Sequence, residues 1–382
     1  MAGDWLPCGK VQKITILHVY KTYFPDTQGG LEETIRQICL NTSSFGFRHL
    51  VFTLSTTPKP RIISLPEAEV IRFPQTVDLS SCGMSLTGAL GFKSLVKKAD
   101  LVHYHYPWPY GDFLHFICSV KKPTLVSYQS DIVRQKVLSV LYAPLRIKFL
   151  KSVQTIVATS PNYLKSSPVL SRLRSKVKVI PNGLSEAGYP EPSYDEIVAT
   201  EKKYGRNFFL FVGMLRYYKG LQYLLEASRG QPFQVLIAGR GPMEGKLKQQ
   251  ADELCLENVH FLGHIDDGLK NCLLRLSLAL VFPSHERSEA FGMTLLEAAM
   301  TSTPLITTDI GTGTSFVNQH EQTGLVVPPA DSGALQQAML RFFLDREFAD
   351  SCGKKARLRF ENIFTGEKMG AGYANLYRTL LV

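Results

Sequence analysis

Two glutamates stand eight residues apart in EAFGMTLLE (289–297). On a helix of 3.6 residues per turn, that spacing spans about two turns, and both carboxylates can point near one face. Phe291 and Gly292 are then expected at the helix start, with free amides. Carboxylates so placed could accept hydrogen bonds from sugar and ribose hydroxyls; two exposed helix glutamates are the plainer alternative. In GMLRYYKG (213–220), Arg216 and Lys219 lie three apart, which predicts a shared side of one helical turn. Two cations at the mouth of a strand-to-helix turn suit a diphosphate, and a surface pair is the other reading.

Three further places could meet a ligand. Gly29 and Gly30 follow the first apolar run and open a helical stretch, where glycine lets amides approach a phosphate closely or simply makes a turn. GRGPMEG (239–245) places Gly239 and Gly241 after another apolar run. Its spacing is GxGxxxG, so it is weak evidence for a dinucleotide and fits a nucleotide-contacting loop or a plain turn. HYHYP (103–107) ends a strand candidate, and alternation puts His103 and His105 on one side. His105 is the favoured cleft residue, able to bond a sugar near the reaction centre.

HExxH, GxSxG, Walker A and paired Cys/His ligands are absent from the sequence, and Asp266-Asp267 is a dipeptide rather than a DxD clamp. No metal is expected. The seven cysteines are scattered and odd in number, so buried thiols are expected rather than a disulfide framework.

The elements that must carry these residues follow a repeating pattern. Buried-strand candidates are ITILHVY (14–20), HLVFTL (49–54), DLVHYHY (100–106), TLVSYQ (124–129), TIVATS (155–160) and KVKVIPN (176–182). Continuous β-branched runs between amphipathic stretches suit a parallel, doubly wound sheet. GLSEAGYPEPSYDE (183–196) reads as a linker. A second series follows: FFLFVG (208–213), FQVLIAG (233–239), VHFLGH (259–264), LALVFPS (278–284), PLITTD (304–309) and GLVVPP (324–329). Two α/β halves of similar size are expected, with a ligand cleft outside the strand C-termini.

Bulk properties fit. The 382 residues are 45% apolar and 20% charged, which excludes disordered and fibrous classes. No run approaches the 18 or so apolar residues of a membrane span, and MAGDWLPCGKVQK has no apolar h-region, so a cytoplasmic protein is expected. Residues 1–185 hold 23 Lys+Arg against 10 Asp+Glu, or +13; residues 186–382 hold 20 against 23, or −3. The stretch 132–185 has ten basic residues and no acidic one. Such a field suits a membrane face, a phosphorylated lipid or nucleic acid, or is merely solvated.

Taken together, HVYKTYFPDTQGGLEE, HYHYP, VIPNGL, VGMLRYYKG, PSHERSEAFGMTLLEA and TGLVVPP resemble the retaining family-4 glycosyltransferases over nearly the whole chain. RYYKG, SDIVRQK and GTGTSF look like the bacterial O-antigen mannosyltransferases and rhamnosyltransferases. The resemblance implies a GT-B fold, an α/β architecture of two Rossmann-like doubly wound domains facing across a cleft. Residues 1–185 would bind the acceptor and 186–365 the nucleotide sugar. A helix within 366–382 would cross back to the first domain.

Carried over residue by residue, Arg216 and Lys219 would bind the donor diphosphate. Glu289 would hold sugar hydroxyls, within a donor-binding stretch that includes Ala290, Phe291 and Gly292. Glu297 would contact the nucleoside. Gly30 would lie against the phosphates or the acceptor, and His105 would touch the transferred sugar. Glu286 is excluded by its spacing to Glu297. Two departures weaken the transfer. Met214 stands where the pattern has arginine, and Gln129 stands where relatives often show histidine.

The expected reaction is metal-free, retaining transfer of mannose or D-rhamnose from a GDP-sugar to a lipid-diphosphate-linked glycan of lipopolysaccharide. It would occur at the cytoplasmic face of the inner membrane, with no nucleic-acid partner. A sugar-nucleotide epimerase or hydrolase of the same fold is the alternative, and a basic nucleic-acid-binding protein a more distant one.

Overall fold

A computed structural model describes residues 13–79, 82–131, 136–189 and 191–382, the side chains of 136–139 excepted. Most of the SDIVRQK segment and Cys8 therefore lie outside the described residues. The first half holds β1 (Ile14–Val19), β2 (Phe47–Ser55), β3 (Ile62–Ser64), β4 (Glu69–Pro74), β5 (Val77–Leu79), β6 (Cys82–Met84), β7 (Leu101–Tyr106), β8 (Thr124–Tyr128), β9 (Thr155–Ala158) and β10 (Val177–Val179). The second holds β11 (Phe209–Val212), β12 (Val235–Ala238), β13 (Val259–Gly263), β14 (Ala279–Phe282), β15 (Leu305–Thr308) and β16 (Gly324–Val327).

Eight strands pair in the order β10-β9-β8-β7-β1-β2-β4-β3, and six in the order β13-β12-β11-β14-β15-β16. Within these two sheets every pair is parallel except β3 with β4. Strand order reverses at β1 in the first sheet and at β11 in the second. These switch points leave a crevice beyond the carboxyl ends, where α/β proteins bind ligands.

The sequence pattern missed β3 and β4. EVIRFP (69–74) carries Glu69 and Arg72 and does not read as an apolar run. Arg72 is nevertheless buried, satisfied by Asp26 at 2.7 Å and by the Pro60 carbonyl. A paired buried charge hides a strand from an apolar-run search.

The halves are joined side by side. The chain leaves the first half at Leu184 and returns at Thr365, where Leu184 N donates to Phe364 O at 2.9 Å and Gly366 N to Leu184 O at 2.7 Å. Thr365 then caps the helix Gly366–Leu381, which lies on the helix Gly30–Ser43 and the first sheet. Close approach needs glycine here: a Cβ on Gly370 would sit 2.4 Å from the Asn41 carbonyl oxygen. Tyr373 and Tyr377 are fully buried beneath this helix.

Candidate active site

The turn after β11 carries a buried cation. Tyr217–Lys219 form one 3-10 turn, ended by Gly220 at φ +71°. That left-handed residue also lets the turn touch the end of β14, since a Cβ there would fall 2.0 Å from the Pro283 carbonyl oxygen. His285 N donates to Tyr218 O at 3.0 Å, tying the two loops together. Lys219 thereby reaches Glu289: Nζ lies 2.5 Å from Oε2, and Ser284 Oγ donates to the same oxygen at 3.4 Å. The ammonium also sits 4.4 Å from the centroid of the Phe282 ring. Glu286 instead lies beside His285, 3.8 Å away.

Arg216 does not share a side with Lys219. The 3-10 turn is too short, and Arg216 precedes it in extended conformation. Its side chain is exposed, touching Met214 Sδ at 2.9 Å, and its charge acts across the crevice on Tyr20 and Lys21 at the end of β1. Lys21 is a cation that the sequence reading passed over, although it directly follows the first strand candidate. Burial lowers its pKa, with the Glu32 carboxylate opposing.

The two glutamates do not lie on one helix. The helix spans only Met293–Met300, and Gly292 at φ +92° separates it from the loop holding Glu289. Ala290 and Phe291 are buried, and Ala290 O accepts from Gly313 N at 2.7 Å. Glu297 is on the helix, buried, with Lys270 Nζ at 2.9 Å and the Tyr189 hydroxyl bonded to the same carboxylate. Its charge raises the pKa of Glu33, which burial raises first. Lys270 and Tyr189 were not singled out in the sequence because no local spacing links them to Glu297.

Helix starts from both halves meet. Gly29 is the extended N-cap and Gly30 the first residue of one helix. A Cβ on Gly30 would lie 3.6 Å from Met293 Cγ, at the start of the other. The positive ends of two helix dipoles are thus neighbours, an arrangement suited to an anion. Gly239 and Gly241 have a structural explanation of their own. Cβ atoms there would fall 2.0 Å and 2.5 Å from the carbonyl oxygens of Gly213 and Leu215. They let the turn after β12 pack on the turn after β11.

His105 does not project freely into the crevice; it is buried in a cluster of imidazoles. His18 Nδ1 lies 3.0 Å from His105 Nε2, and the ring centroids of His103 and His105 are 4.2 Å apart. Burial holds His105 and His49 down to about 3. Donor atoms of His18, His103 and His105 come within 4.8 Å of one another, as do those of His18, Cys39 and His49. These sets have the nitrogen and sulfur chemistry of a transition-metal site. Here, ring nitrogens from both sets are hydrogen-bonded to each other. Across the two halves, Arg287 pairs with Asp131 at 3.0 Å and donates to Ser166 Oγ at 2.9 Å.

Known proteins share this architecture and sequence. Residues 28–187 match the family described as Glycosyltransferase Family 4, and residues 194–359 match Glycosyl transferases group 1. The chain is 47% identical over 350 residues to D-rhamnosyltransferase WbpZ of Pseudomonas aeruginosa, covering 92% of each chain. It is 43% identical to O-antigen chain mannosyltransferase C of Escherichia coli, covering 96% of this chain and 98% of that one. Among solved structures, sucrose-phosphate synthase from Thermosynechococcus elongatus superposes with a TM-score of 0.80 at 22% identity, covering 96% of this chain and 99% of that one. WaaG, a glycosyltransferase of lipopolysaccharide biosynthesis, gives 0.70 at 17%, covering 94% and 99%. With two parallel-stranded halves and these relatives along nearly its full length, the chain belongs to the family 4 glycosyltransferases and has the GT-B fold.

Proposed function

We propose that this enzyme transfers mannose, or D-rhamnose, with retention from a GDP-sugar to a glycan carried on a lipid diphosphate during O-antigen assembly. The donor would be held by 186–365 and the acceptor by 1–185. The observation that carries this reading is the buried Lys219–Glu289 pair beside the meeting helix starts. The names and identities of the two full-length relatives supply the sugar class and the pathway.

Chemistry follows from charge development. As the glycosidic bond breaks, negative charge builds on the leaving diphosphate. Lys219, Arg216 and amides at the Gly30 and Gly292 helix starts stabilise it without a metal. Glu289 orients the ammonium and the sugar hydroxyls, and Glu297 serves the nucleoside. The acceptor hydroxyl attacks from the face the leaving group vacates, giving its proton to the departing phosphate.

The acceptor's lipid places the enzyme at an anionic membrane. Among the described residues no helix is long and apolar enough to cross one. The helices Gly88–Lys98, Pro109–Ile117 and Lys136–Ser152 expose Leu90, Phe113, Ile117, Val140 and Leu141 among Lys93, Lys97, Lys98 and Lys148. Apolar side chains set among lysines suit peripheral binding to anionic lipid.

Melting the protein with GDP, UDP, ADP and their sugars tests the donor. A rise with GDP and GDP-mannose or GDP-rhamnose alone is expected, followed by radiolabel transfer to a lipid-linked acceptor. Donor consumption without glycan product would instead make the enzyme a hydrolase or epimerase.

A further inference from the structure

Between the first sheet and the helices Gly30–Ser43 and Gly366–Leu381 runs a column of hydrogen bonds whose direction can be worked out from one end. Thr42 Oγ1 donates its only proton to the Ile38 carbonyl at 2.6 Å. Toward His49 Nε2, 3.0 Å away, it can therefore only accept, so that nitrogen bears the proton. A neutral imidazole carries one N–H, which leaves His49 Nδ1 as an acceptor. His18 Nε2, 3.0 Å away, must donate to it. By the same step His18 Nδ1 is an acceptor, and His105 Nε2, again at 3.0 Å, donates. His105 Nδ1 ends as a bare lone pair, and it is buried with no hydrogen-bond partner among the described residues.

The column climbs toward the crevice. His49 stands level with Ile16 in the β1–β2 register, two residues below His18. His18 stands level with His103 in the β1–β7 register, and His105 is two residues higher still. Its open end is thus the one nearest the strand carboxyl ends. His103 is satisfied separately by Tyr377 OH at 2.8 Å and Ser127 Oγ at 2.7 Å, and lies tilted beside His105. Burial lowers the pKa of His18, His49 and His105, which keeps each ring neutral, as the one-proton count requires.

We propose that Thr42, His49 and His18 are positioning residues. They fix the tautomer of His105 so that its buried Nδ1 is left as an acceptor, available to a hydroxyl that the bound sugar brings to the floor of the crevice. This rests on the donor reading above for the sugar, but not for the tautomer. A sugar hydroxyl facing this nitrogen must donate, which constrains its rotor before transfer begins.

Thr42→Val tests it from the far end of the column. Valine can neither accept from nor donate to His49, so nothing fixes the direction of the column, and the reverse arrangement, with Nδ1–H and no lone pair at the open end on His105, becomes populated. Thr42→Ser keeps the acceptor. In the full chain labelled with 15N-histidine, wild type and Thr42→Ser should show His105 Nδ1 unprotonated, and Thr42→Val should show a fraction with Nδ1 protonated. For sugar transfer, Thr42→Val should lower kcat/KM, by up to about tenfold, the cost of one hydrogen bond, with the affinity for GDP alone unchanged. Thr42→Ser should recover most of that loss. A wild-type His105 bearing its proton on Nδ1, or a tautomer indifferent to Thr42→Val, overturns the relay. The expected tautomers with unchanged kcat/KM overturn the contact to sugar while leaving the relay. Should GDP-sugars fail to bind wild type at all, the donor reading falls, and the NMR result still decides the relay.

Discussion

Lys219 Nζ and Glu289 Oε2 are 2.5 Å apart although 70 residues separate them, and both side chains are nearly buried. Breaking one member of such a pair leaves an uncompensated charge where a transferring phosphate would need stabilisation. Lys219→Ala and Glu289→Ala should each lower kcat by about a hundredfold or more, the range for losing one charge-stabilising group. Thermal melting should also fall, by roughly 5–15 °C for a loss of about 3–5 kcal/mol, so rates are compared at a temperature where the variants remain folded. Rates within threefold of wild type in both variants would refute the assignment.

The Arg287–Asp131 pair bridges the halves, with exposure enough to limit its worth to about 1 kcal/mol or less. Arg287→Ala should therefore loosen closure without unfolding either half. A KM increase of up to about fivefold with little change in kcat is expected from that energy. A fall in kcat alone would place Arg287 at the reacting atoms instead.

Acidification should weaken the fold through the imidazole column. Burial depresses the pKa of His49 and His105 to about 3, from an ordinary value near 6.5. The folded form then binds fewer protons than the unfolded one within that window. Stability present above about pH 6.5 is lost as pH falls toward 3, at about 1.4 kcal/mol per pH unit for each histidine. Burial raises Asp112 and Glu33, and these carboxyls act in the opposite sense. The difference in slope between wild type and His49→Gln, from urea midpoints at pH 7 to 5, isolates the histidine contribution. Identical slopes would contradict it.

Membrane binding should depend on both halves of the exposed surface. Sedimentation with vesicles rich in anionic lipid should fall as salt rises from about 0.05 to 0.5 M, because the Debye length shortens severalfold. Leu90→Glu with Leu141→Glu should abolish most of it while leaving transfer to a soluble acceptor near wild type. Binding equally strong to neutral vesicles would remove the electrostatic part of the argument.

Gly370 is a packing contact with a testable cost. A Cβ there would meet the Asn41 carbonyl oxygen at 2.4 Å, and backbone cannot move aside cheaply. Gly370→Ala should lose about 1–3 kcal/mol in denaturant unfolding. No loss would show that the two helices separate readily.

The fold was legible where burial is simple. All twelve apolar runs named from the sequence are strands of the two sheets, because parallel strands covered on both faces need continuous apolar residues. What stayed hidden depends on partners distant in sequence. β4 conceals Arg72, whose partner Asp26 is 46 residues away. Lys270 meets Glu297 from 27 residues away, and His18 meets His105 from 87. Alternation did place His103 beside His105, since that period is local. The helical reading of residues 289–297 failed at Gly292, whose positive φ no spacing rule anticipates.

The returning helix has a consequence for biosynthesis. The first sheet's strands are complete at residue 179, yet Tyr373 and Tyr377 meet Ser127 and His103 from 246 and 274 residues downstream. At ordinary ribosomal speeds the intervening stretch takes roughly 10–40 s to emerge. Throughout that interval, among the described residues, the histidine-bearing face of the nascent first half lacks its Gly366–Leu381 cover and keeps the Gly30–Ser43 helix. The first half is therefore finished only after the second has been made, and a stalled ribosome or a chaperone would meet an open, unsealed sheet rather than a completed domain.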